Sequence, residues 1–129
     1  MPVASDTASY LASNLTGSHV VGTDIFAGLL PDTPDTAICL FQTGGGKPDP
    51  IESVEYPGLQ ILVRAPVYTD AWTLANKVFR LLAGTINTTI GSVVYHHFEA
   101  MASPLDAGVD SHGRAIFTLA FLVMKNMEA

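Results

Sequence analysis

Basic residues are scarce in this 129-residue chain: six lysines and arginines stand against twelve aspartates and glutamates. The net charge of −6 and the pI near 4.8 exclude the basic footprint with which a protein grips nucleic acid. Cysteine is nearly missing. Cys39 is the only one, so no internal disulfide can form, and its apolar neighbours suggest a buried structural thiol. No apolar run reaches the roughly 18 residues of a membrane-spanning helix. The opening Met1-Pro2-Val3-Ala4-Ser5-Asp6 has neither a basic stretch nor an apolar core, so no secretion signal is expected and intracellular synthesis is the default. There is no internal repeat. Charged residues of both signs reach only 14%, against 48% apolar residues and a mean hydropathy of +0.32. That is apolar for a small soluble monomer, and an extensive subunit interface is the simplest place for the surplus. The length fits one domain, residues 1–129.

The clearest local signal is a strand followed by a helix. Tyr56-Pro57-Gly58 is a turn. Leu59, Ile61, Val63 and Ala65 then alternate with Gln60, Leu62 and Arg64, the period of a half-covered strand. Pro66 stops it. From about Ala71 to Ala83 the polar residues Thr73, Asn76, Lys77 and Arg80 form one stripe, with apolar residues over the rest of the cylinder. Thr69 or Asp70 can cap this helix, and Gly84 stands where a C-terminal glycine belongs. Upstream, Asp6 to Leu15 reads as a short helix with Ser5 or Asp6 as its cap. Strands over 24–30 and 36–42, joined by Pro31-Asp32-Thr33-Pro34-Asp35, read as a hairpin. Downstream, 85–89 reads as a connection, Ile90 to Met101 as a long strand, and 102–113 as a polar loop. Arg114 to Met124 reads as a strand apolar on both faces, and Met127-Glu128-Ala129 as a tail. These elements predict an α+β fold, a mostly antiparallel sheet of about five strands packed against two helices.

Residues that could carry chemistry do not assemble into a pattern. Gly44-Gly45-Gly46-Lys47 lacks the glycine spacing of a phosphate loop, and Pro48 follows the lysine. His96 and His97, adjacent on a strand, should point to opposite faces, and Cys39, His19 and His112 supply no zinc-ligand spacing. No nucleophile-elbow motif surrounds a serine. Asp106, Asp110 and Glu99 read as solvated carboxylates, and Lys77 and Arg80 as a solvated helix face. No catalytic residue, metal ligand or cofactor is therefore expected. The broad apolar arc of the 71–83 helix and the two apolar faces of the 114–124 strand point instead to subunit contacts, with Trp72, Phe79, Phe117, Leu119 and Phe121 as candidates.

Two stretches together carry a family resemblance. One is Tyr56 to Ala65 with the Tyr68-to-Leu82 helix behind it. The other is Pro104-Leu105-Asp106-Ala107-Gly108-Val109-Asp110-Ser111-His112-Gly113-Arg114 with the Phe117-to-Met124 strand. They resemble the minor capsid and tail-terminator proteins of siphoviruses, with the same order of elements over roughly residues 6–125. The resemblance implies a virion structural protein, made in the host cytoplasm, that needs no cofactor. It would form a homohexameric ring at the head-proximal end of the tail tube, end tube polymerisation, and meet the tail tube protein below and a head connector or head-closure protein above. DNA would pass through the lumen without being gripped, and no membrane partner is implied. No family functional residue maps sharply onto this chain, and the glycine run has no counterpart. Two alternatives stand beside this one: another neck or tail part, such as a head-closure or tail-tube protein, and a small metal- or ligand-binding enzyme using His96, His97 or Cys39. Loops 43–55 and 102–113 are expected to be mobile in a free subunit and to settle on assembly.

Overall fold

The computed structural model describes residues 1–128; Ala129, the end of the expected tail, lies outside the described residues. Strand β8 (Ala115–Asn126) is the spine. Each of its edges carries a neighbour broken in the middle. On one edge β4 (Gly58–Ala65) pairs with residues 115–122, and the two-residue β3 (Val54–Glu55) with residues 125–126. On the other edge β6 (Val93–Ala100) pairs with residues 121–125, and β7 (Leu105–Val109) with residues 115–118. Beyond β4 lies β2 (Ala37–Thr43), and β1 (Ile25–Ala27) ends that side; β5 (Ile86–Ile90) ends the other. All pairs are antiparallel except β1 with β2.

Helix α2 (Tyr68–Ala83) lies across β4, β6 and β8. Helix α1 (Val3–Asn14) touches β1 and β2 at one end of the strand order and β5 at the other, so the sheet curls and α1 bridges its two ends. The core fills the concave side. Phe117, Leu119, Phe121 and Val123 of β8, with Leu59, Ile61 and Val63 of β4, meet Ala71, Ala75, Val78 and Leu82 of α2 and Leu11 of α1. Each large side chain buried in this way stabilises the fold by about 1.5–3 kcal/mol. The fold is the expected α+β arrangement, with eight strands among the described residues because β3, β5 and β7 add to the five expected.

Several expectations need correction. The 24–42 hairpin does not form: Ile25 pairs with Ile38 and Ala27 with Leu40 in parallel, and the 28–36 segment runs back over the sheet. That return is short because β1 has only three residues. The expected 85–89 connection is strand β5, which forms a tight hairpin with β6 through Gly91, whose φ of +64° suits glycine, so the long strand expected over 90–101 is present as Val93–Ala100. The polar loop 102–113 contains β7, which is exposed throughout and so shows no alternation. Neither helix has a side-chain cap; Pro2 and Val67 hold those positions, and Gly84 keeps a right-handed φ of −90°.

Candidate functional site

Half of the chain's cations are inside the fold. Arg64 projects from β4 away from the helices and donates to the backbone carbonyls of Pro31 (2.8 Å), Pro34 (2.6 Å) and Asp35 (3.2 Å). Arg114, at the start of β8, donates to Asp110 Oδ2 (2.8 Å), Asp32 Oδ1 (2.9 Å), Asp35 Oδ1 (3.2 Å) and the Asp32 carbonyl. The two arginines clamp the 28–36 segment onto the sheet from behind. Asp110 is therefore not the unpartnered surface carboxylate expected. Burial alone would raise its pKa, but the N–H and guanidinium of Arg114 and the N–H of His112 outweigh that and hold it below the usual carboxylate range. Asp106 also has a partner, accepting from the Tyr68 hydroxyl at 3.0 Å. The third buried cation, Lys125, pairs with Glu55 at 3.2 Å and lies over the Tyr95 ring at 5.4 Å.

A second buried polar pair ties α1 to β6. Tyr95, fully buried, donates to Asp6 Oδ2 at 2.8 Å, and Asp6 is itself 4% exposed. Burial first, then the Asp6 hydrogen bond and its charge, drive the tyrosine pKa far above its ordinary value. Asp6 is thus a core acceptor instead of a helix cap. Nothing in the sequence announces this, because its partner stands 89 positions away.

The histidines also depart from expectation. β6 carries a bulge between Tyr95 and His97, so Tyr95 pairs with Lys125 while His97 pairs with Met124. Tyr95 and Phe98 both point into the core, their rings stacked at 5.6 Å. The two residues between them, His96 and His97, therefore both leave the core side instead of splitting between faces. His96 Nε2 meets Asn126 Oδ1 at 2.7 Å, and His19 Nδ1 meets Asp24 Oδ2 at 2.7 Å. Among the described residues no group of three or more His, Cys, Asp or Glu side chains is placed to hold a metal ion. Cys39 is buried, which pushes its thiol up to about 11 despite the opposing charge of Arg64.

The glycine run is a packing feature. A Cβ on Gly45 would stand 1.9 Å from the Tyr56 carbonyl oxygen, and the Gly46 N–H donates to that same oxygen at 2.7 Å. The run lets the end of β2 press against Tyr56–Gly58.

The five candidate contact residues separate. Phe117, Leu119 and Phe121 are 2–3% exposed beneath α2, so their surface already belongs to the subunit's own core. Phe79 is partly buried, with its ring 6.3 Å from that of Phe121. Trp72 is 50% exposed on the outer side of α2. Around it the first turn of α2 shows Val67 and Tyr68, and β7 shows Leu105 and Val109, all exposed. The opposite face of β8 is only partly covered: Ile116, Leu122 and Met124 are intermediate and Ala120 is exposed. Beside it lies a shallow cavity of about 220 Å³, lined by Gly44, Gly58, Gln60, Met101, Thr118 and Leu122.

A subunit whose buried ionic groups brace the fold, and which leaves Trp72, Tyr68, Leu105, Val109 and Met101 exposed, has the character of a structural, assembling protein. The comparison with known families agrees. The sequence model of a family described as bacteriophage tail terminator protein matches residues 10–125, and the chain belongs to that family. It is a structural protein of the phage tail, working against other tail or head proteins. No match is found among curated proteins.

Proposed function

We propose that the chain forms a homohexameric ring at the head-proximal end of the tail tube. The ring ends tube polymerisation and presents its far side to the head connector or head-closure protein. The observation that carries this reading is the family match over residues 10–125, on a subunit that leaves Trp72, Tyr68, Leu105, Val109 and Met101 in solvent. A ring requires two different patches on each subunit, and apolar surface of this kind is what such contacts cover. The charge supports the lumen role. With Arg64, Arg114 and Lys125 buried, the exposed lysines and arginines are Lys47, Lys77 and Arg80, so passing DNA meets little that would hold it.

The test is polymerisation of purified tube protein with and without this chain. Tubes of limited length, each capped at one end, are expected when it is present. Tube lengths unchanged at a molar excess of the chain would overturn the reading, and annuli found elsewhere on the tail would reassign it to another tail part.

A further inference from the structure

We propose that the uncovered face of the sheet is the seat for the outer face of α2 from a second copy of this chain. The proposal rests on the ring reading above and names its lateral contact. The sheet carries both helices on its concave side. Its other side is closed only at one end, where Arg64 and Arg114 hold the 28–36 segment. Away from that end, Gln60, Met101, Thr118, Ala120 and Leu122 line the 220 Å³ cavity uncovered or half-covered, and half-covered Phe41 stands beside Gln60. A helix laid there would turn a two-layer subunit into a locally three-layer contact.

Charge selects which helix face fits. On α2, Lys77 Nζ already reaches the Thr16 carbonyl of its own chain at 3.5 Å, which leaves Arg80, two turns beyond the half-exposed Trp72, as the cation turned outward beside it. The strands that make the seat show no exposed lysine or arginine, since Arg64 and Lys125 are buried. They show the exposed carboxylate of Glu99, which pairs in register with Leu122. Asp32 and Asp35, at the closed end, are already paired with Arg114 and leave Glu99 as the carboxylate of the seat. An aromatic anchor followed by a cation thus meets an apolar hollow with the Glu99 carboxylate at its edge. The two patches lie on opposite faces of one sheet, so their union is head-to-tail and repeats until the ring closes.

The test uses the full chain assembled on tail tubes. Thr73→Cys and Ala120→Cys together should give, on oxidation, a ladder of covalent oligomers ending at the closed ring, and neither single variant should cross-link. Dimers from Ala120→Cys alone, a cross-link to tube protein, or rings with no ladder would each overturn the contact. Independently, Ala120→Arg on the exposed seat should leave the circular dichroism unchanged and abolish rings. Arg80→Glu should weaken assembly by about tenfold at low salt, with partial rescue by Glu99→Lys. Rings at wild-type level in Ala120→Arg would remove this contact and leave the ring standing. Absence of rings in the unaltered chain on tubes would remove both.

Discussion

Replacing Tyr95 by Phe isolates a fully buried side-chain hydrogen bond, the one from Tyr95 to Asp6. The ring keeps its stacking on Phe98 and its place under Lys125, and only the hydroxyl is lost. Asp6, 4% exposed, then stands in the core without its 2.8 Å donor. A hydrogen bond to a charged group contributes about 1.5–3 kcal/mol, and an orphaned buried partner places the loss toward the upper end. For a chain of this size that corresponds to a fall in Tm of roughly 5–15 °C. Asp6→Ala should cost about 1–3 kcal/mol, because it orphans the buried hydroxyl instead. The double variant should cost less than the two singles together, by about 1–2 kcal/mol, since neither partner is then left alone. Urea unfolding followed by far-ultraviolet circular dichroism is the assay; Trp72 is half exposed and so a poor reporter of the core. Additive costs, with Tyr95→Phe within about 0.5 kcal/mol of the parent, would refute the pairing.

Other outcomes follow from the same geometry. Gly45→Ala should destabilise by about 1–3 kcal/mol while Gly44→Ala, whose Cβ meets nothing within 4 Å, stays within about 0.5 kcal/mol; equal effects would contradict the close approach to Tyr56. Gly91→Ala should cost about 1–2 kcal/mol or more, because φ is +64° and the new Cβ would stand 3.1 Å from Asp6 Oδ1; thermal melts measure it. Tyr95 and Cys39 both have pKa values raised by folding, so each contributes stability that is complete below its unfolded value and declines above it. Stability should therefore fall as pH climbs from about 9, through Cys39 first and then Tyr95, and Cys39→Ala should flatten the first part of that fall; a pH series of urea midpoints decides it. Arg114→Met should raise proteolytic cutting within 28–36 while leaving β4 and α2 protected from hydrogen exchange; unchanged cutting would show that the clamp is dispensable.

The parts of the fold legible in the sequence were those whose faces differ in polarity. β4 alternates and α2 has a polar stripe because each buries one side. β7 escaped notice because both its faces are wet, so no alternation marks it. The sequence marks β1 and β2 as strands but misleads about their pairing, which is parallel. Pro31 to Asp35 has the composition of a hairpin turn, whereas the path it follows is held by Arg64 and Arg114, whose reach across the fold no local pattern reveals. The bulge in β6 did leave a trace. Tyr95 and Phe98, three apart, are core aromatics, a spacing that a regular strand cannot put on one face. Among the contact candidates, apolar character alone could not separate Phe117 and Phe121, which the subunit buries itself, from Trp72, which it leaves outside. That distinction depends on where α2 lies on the sheet.

Imaging of tail tubes grown with this chain tests its role most directly. The account predicts one six-fold annulus, of the chain's own density, seated on the head-proximal end of each tube. Tubes with bare ends, accompanied by chain that stays monomeric in the same sample, would contradict it.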